Sequence, residues 1–130
     1  MLRPQYHFRK SARGLLAWDV RRLVKLSAAL PIQQVPVSSL AELNENHWYG
    51  HGAVEPTCRS IVEHCSLIVA ADLSYPIILD NNGRVMDGMH RVCKALLESR
   101  ISIAAVQFLA DPEPDYVNRT PESLPYDEVE

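Results

Sequence analysis

The chain has 130 residues, 47% hydrophobic and 22% charged, with a formal net charge of −3. That balance suits one globular domain with a modest core and excludes a disordered or fibrous chain. The longest apolar run, Leu67 to Ala71, falls far short of the ~20 residues a membrane span needs, so no membrane partner is expected.

Charge is unevenly spread. Residues 1–30 carry seven Lys or Arg against Asp19 alone, and residues 111–130 carry seven acids against Arg119 alone. Such ends can pair within the molecule or each engage a protein partner. Nucleic-acid binding by the basic end is the less favoured option, because the whole chain is acidic. Arg3, Arg9, Lys10 and Arg13 precede no apolar block with a small-residue cleavage site. Three cysteines without close pairing fit a reducing compartment, so a cytoplasmic location is expected.

Three regions follow: 1–31 as a basic amphipathic helix, 32–110 as the core, and 111–130 as an acidic, proline-rich tail. In the first, Leu16, Val20, Leu23 and Leu30 recur at helical spacing, predicting a helix over 12–30 that Pro31 stops. Trp18 is either core or partner contact. Gln34 to Val37 predict a short strand, and Ser38-Ser39 precede one helical turn at Ala41-Glu42-Leu43. Asn44 to Gly52 read as a loop that packs Trp48 and Tyr49 near the site. A second helix is expected from Pro56-Thr57 through Ile61, Val62 and Cys65, with Cys58 and Cys65 on its buried face. The tail, from Asp111, is expected to be extended or disordered, or to wrap a neighbour.

The most informative segment starts at Pro76. Pro76 to Leu79 read as a buried strand, Asp80-Asn81-Asn82-Gly83 as a turn, and Arg84-Val85-Met86 as the returning strand. Asn-Gly between apolar runs is a strong hairpin signal because both residues tolerate positive φ. Met89 to Arg100 then predict a helix with Val92, Cys93, Leu96 and Leu97 on one stripe, and Ile101 to Leu109 a closing strand. The fold expected is α/β (α+β), a small mixed sheet with a hairpin–helix–strand core.

Where the hairpin hands over to the helix, Asp87-Gly88-Met89-His90-Arg91 form an anion-ready turn. The first N–H groups of a helix lack internal partners and lie at the positive end of its dipole. Gly88 lets a ligand approach the backbone, Arg91 offers a planar fork of donors, and His90 can donate or move a proton near neutral pH. Each has a plainer alternative: Asp87 as an N-cap, Gly88 as a tight turn, Arg91 as an ion-pair partner of the acidic tail.

The run YPIILDNNGRVMDGMHRVCKALL, Tyr75 to Leu97, resembles the ParB/sulfiredoxin-like superfamily. The resemblance extends to Leu109, and Val35 to Leu43 match the family's first strand and turn. It implies a small α/β fold holding nucleotide phosphates, or a related substrate, near the helix start. Members include partition proteins that bind CTP and DNA, sulfiredoxins that use ATP, and kinases of free serine. Met89 stands where sulfiredoxin needs a reactive cysteine, and methionine forms no thiolate. Gly88-Met89-His90-Arg91 also departs from the Gly-Glu-Arg-Arg of partition proteins. The Asp-Gly-x-His-Arg form is closest to the free serine kinases, which also use an upstream glutamate as base; Glu42, Glu45 and Glu55 are candidates.

By that resemblance Gly88, Met89, His90 and Arg91 would hold the phosphate oxygens of ATP or ADP. His90 would stabilise developing charge or relay a proton, and Asp87 would hold Mg²⁺ or orient the attacking hydroxyl. The function expected is a nucleotide- or phosphate-binding protein, with small phosphotransferase activity if Asp87, His90 and a glutamate such as Glu45 act as a catalytic set. Its rival is a non-catalytic regulatory or interaction module. Thr57, near the second helix start, is a further candidate anion contact, or satisfies only the backbone there. His47, His51, Cys58, His64 and Cys65 match no paired-ligand spacing, so no resident metal site is expected among them.

Overall fold

The structure, a computed structural model, describes residues 5–49 and 55–126. It is α+β, as the sequence predicts. A four-stranded sheet lies at the centre in the order β3 (Gln33–Pro36), β6 (Ser102–Gln107), β4 (Ile77–Leu79), β5 (Val85–Asp87). β4 and β6 run parallel, while β3–β6 and β4–β5 are antiparallel.

The β4–β5 hairpin follows from its turn chemistry. Gly83 sits at φ 79°, a conformation open to glycine at no steric cost. Asp80, only 2% exposed, organises the turn from within. Its Oδ1 accepts from the backbone N–H groups of Asn82 and Arg84 at 2.8 and 2.9 Å. Its Oδ2 accepts from Arg9 at 2.8 Å, so the buried carboxylate is both bonded and paired. From β5 the chain enters α3 (Met89–Leu97), crosses one face of the sheet and returns as β6.

Alternation along the strands divides the core. Ile77, Leu79, Val85, Ile103 and Ala105 face α3, meeting Met89, Val92 and Ala95 together with Val37 and Leu40 from two 3₁₀ turns, Val37–Ser39 and Ala41–Asn44. Ile78, Met86, Val106 and Phe108 face the other way, toward Leu16, Trp18 and Leu23. Strand side chains point alternately to opposite faces, so each sheet face has its own cluster.

The second cluster corrects the expected N-terminal helix. Residues 12–19 are not helical. Tyr6–Ser11 form β1, Gly14–Asp19 form β2, and only Val20–Ser27 form a helix, α1. β1 and β2 are an antiparallel hairpin, and Gly14, which opens β2 directly after the turn, sits at φ 96°. β2 is the middle strand of a three-stranded sheet, and Leu16, Ala17 and Trp18 are all buried. Asp19 caps α1 by accepting from the N–H of Arg21. Trp18 is therefore core, 2% exposed.

The acidic tail is ordered over its described part and packs on its own chain. Tyr116–Val117 form β7, pairing with β2. The carbonyl of Pro112 accepts from Trp18 Nε1 at 2.8 Å, and Asp111 pairs with Arg9 at 3.0 Å. Arg22 donates to the Glu113 carbonyl and pairs with Asp115. For these residues opposite charges of the two ends are matched inside the molecule. No helix of the described residues is long and apolar enough to cross a membrane.

Candidate functional site at the start of α3

α3 opens at Gly88, whose φ of 107° and ψ of 24° place it in the left-handed region. No side chain caps this end, so Asp87 is not the N-cap the sequence offered. Asp87 Oδ2 instead accepts from Arg91 at 2.8 Å, one helical turn away. A Cβ on Gly88 would lie 2.7 Å from Ile77 Cγ2 and 3.2 Å from Arg91 Cζ. The glycine is thus required by backbone conformation and by the approach of β4, before any ligand is considered.

Arg91 is committed on two sides. Besides Asp87, its guanidinium donates to the Tyr75 carbonyl at 3.0 Å and the Pro76 carbonyl at 2.6 Å. It locks the entry to β4 onto the start of α3 and does not pair with the described part of the acidic tail. Met89 points into the core, 6% exposed, so of this residue only the backbone N–H is available to an anion.

His90 is placed differently. From the first turn of α3 its Nε2 lies 2.8 Å from His64 Nδ1, one ring donating to the other. Trp48 stacks on both, with ring centroids 4.3 Å from His64 and 4.7 Å from His90. Tyr49 meets His64 edge-on, and its hydroxyl lies 2.9 Å from the Ser60 hydroxyl. The 44–52 loop does bring Trp48 and Tyr49 to this place; Gly50, His51 and Gly52 lie outside the described residues.

Burial lowers the His90 pKa, and the neighbouring His64 and His47 lower it further, with Asp87 opposing. Burial likewise lowers that of His64. Near neutral pH both rings are therefore uncharged and act as hydrogen-bonding groups.

His64 carried little signal in the sequence, where it stood only as a weak metal candidate. It lies on α2 (Cys58–Ala70), on the stripe Ser60, His64, Ile68 that is the helix's half-buried side. Cys58 and Cys65 are exposed, contrary to the expected buried face, because α2 turns its Ser60–His64 side inward. Thr57 is the N-cap of α2, its Oγ1 accepting from the Ser60 N–H at 3.1 Å. It does what a helix start requires and is not brought to the α3 opening by any bond or ring contact.

The candidate glutamates separate by burial. Glu42 is 3% exposed, and its Oε2 accepts from the Val85 N–H at 2.6 Å. Its Oε1 is buried without a partner. Glu45 is exposed and forms a two-pronged pair with Arg84 at 2.6 and 2.8 Å, which lowers its pKa. Glu55 is exposed and has no place in this cluster. Glu42 and Glu45 line a cavity of about 170 Å³ with His47, Trp48, Tyr49, Met89 and Cys93.

A Mg²⁺ ion arriving with a nucleotide would need carboxylate oxygen at the opening, and Asp87 is the carboxylate there. It could contribute its second oxygen without leaving Arg91. Among the described residues, no three His, Cys, Asp or Glu side chains are grouped as a protein-held metal would need.

Compared with models of protein families, with curated proteins and with solved structures, the chain matches none.

Proposed function

We propose that the chain is a binding module that takes a phosphate-bearing small molecule, a nucleotide such as ATP or ADP, at the opening of α3. The observation that carries this reading is the uncapped helix start beside a braced His90. Backbone N–H groups there have no acceptor within the helix and sit at its positive end. His90 adds a side-chain donor whose ring is held by His64 and Trp48, so little ordering accompanies binding. Trp48, stacked on His64 and His90 and packed against the core, holds the donor ring in place.

The residues as held favour binding over phosphoryl transfer. Asp87, which the ParB-like resemblance would use to hold Mg²⁺ or orient the attacking hydroxyl, and Glu45, one of its three candidate bases, each answer an arginine. Glu45 would have to leave Arg84 to act as a base, while Asp87 would act through the oxygen that is not bonded to Arg91. Arg91 acts here by fixing the turn rather than by presenting its fork to phosphate.

Thermal unfolding with ATP, ADP or CTP, each with Mg²⁺, tests the proposal. A ligand present at 100 times its Kd should stabilise the fold by about 2.7 kcal/mol. His90→Ala should remove most of the shift, read against that variant's own unliganded midpoint, which falls with the loss of the His64 bond and the Trp48 stack. Identical shifts in the two proteins, or none with any nucleotide, would contradict it. Nucleotide consumption in the same samples would move the reading from module to enzyme.

A further inference from the structure

We infer that α2 is a self-association surface, pairing antiparallel with α2 of a second copy of this chain. None of its thirteen residues is buried. It is attached to the body largely by polar contacts: Tyr49 to Ser60, His64 to His90, and Lys94 Nζ to the carbonyls of Val69 and Ala71. Its apolar side therefore faces outward.

That side forms one stripe. Cys58, Ile61, Val62, Cys65 and Val69 follow the i, i+3, i+4, i+7, i+11 spacing of a helix face. Ile61, Val62 and Val69 are 45%, 65% and 66% exposed, and both cysteines are exposed. A continuous apolar stripe of this kind on a helix surface marks an interaction site.

Charge and symmetry select the occupant. Arg59 and Glu63 flank the stripe on one side, two residues before and two after Ile61. Place a two-fold axis between Ile61 and Val62, perpendicular to the helix, and each copy's Arg59 comes beside Glu63 of the second copy. The same axis brings Ile61 and Val62 against their own counterparts and sets Cys58 opposite Cys65 of the second copy. One axis thus matches apolar, charged and thiol positions together, as an isologous interface must. This surface is separate from the α3 opening and does not depend on what binds there.

Light scattering on the reduced full-length chain, across micromolar concentrations, should give twice the monomer mass. Val62→Glu, at an exposed position, should give a monomer with an unchanged far-ultraviolet circular dichroism spectrum and a melt that no longer depends on concentration. Glu63→Arg should weaken the dimer by placing like charges together, and Arg59→Glu/Glu63→Arg should restore it. Register is read with diamide, which takes two protons and two electrons from a thiol pair as the disulfide forms. Cys58 and Cys65 lie about 10.5 Å apart along one helix, beyond disulfide reach, so a Cys58–Cys65 bond must join two chains. That bond is the expected product. A monomer at every concentration, a dimer indifferent to Val62→Glu, or bonds joining only like cysteines would each overturn the inference.

Discussion

The β4–β5–α3–β6 unit and the β1–β2 hairpin pack against opposite faces of one sheet or form it, yet they are held by different means. The first is local: a turn organised by Asp80, a glycine at the helix start, and Arg91 tying α3 to the residues before β4. The second is stabilised from a distance. Trp18 reaches the Pro112 carbonyl, Arg9 bridges Asp80 and Asp111, and β7 supplies β2 with its second neighbour. Local rules specify the region that carries the candidate site, while long-range contacts specify the region that supports it.

The largest effect should come from the supporting region. Trp18→Ala removes a buried indole, its bond to Pro112 and the Arg9 guanidinium 4.7 Å above its ring. A loss of about 4 kcal/mol is expected by urea unfolding. A loss below about 1 kcal/mol would mean the hairpin is not part of the cooperative core.

Gly88→Ala comes next and probes the local unit. The positive φ and the 2.7 Å approach to Ile77 Cγ2 together predict a cost of about 3 kcal/mol. A neutral result would show that the α3 opening relaxes easily, which would remove the rigid anion position.

A pH dependence separates the two regions further. Burial, with Arg9 beside it, lowers the His7 pKa from 6.5 to about 4. Between those values the unfolded chain binds the extra proton, so stability is full above pH 6.5 and falls as pH drops toward 4. The expected total is about 2 kcal/mol after allowance for partial exposure. His7→Asn should flatten this slope in acid unfolding curves. The smallest effect is at Thr57→Ala, where losing the α2 cap should cost about 1 kcal/mol; nucleotide affinity should not change, since Thr57 only caps.

The same contrast explains what the sequence could tell. The hairpin, α3 and β6 were legible because Asn82-Gly83 and the helix formers after Gly88 are signals carried within a few residues. Even so, α3 buries Met89, Val92 and Ala95 and leaves Leu96 and Leu97 of the expected stripe exposed. The N-terminal region misled because Leu16, in β2, falls by coincidence in helical step with Val20 and Leu23 of α1. A central strand buried on both faces, as Leu16-Ala17-Trp18 is, shows no alternation to set against that pattern. On α2 the apolar stripe was visible, but periodicity cannot say whether a stripe faces in or out. The 87–91 turn was found, though Asp87, Gly88 and Arg91 carry structural duties there. Its neighbours were partly missed: His64 meets His90 across 26 residues of sequence, and no local pattern announces that contact.

The central claim is that an anion settles on the backbone at the start of α3. A ¹⁵N-correlation titration with ADP, and with inorganic phosphate as the minimal probe, tests this residue by residue. The account predicts saturable shifts of the Met89, His90 and Arg91 amides and of the Trp48 indole, tightening as pH falls and His90 gains its proton. Unmoved 89–91 amides, with shifts elsewhere or nowhere, would contradict it.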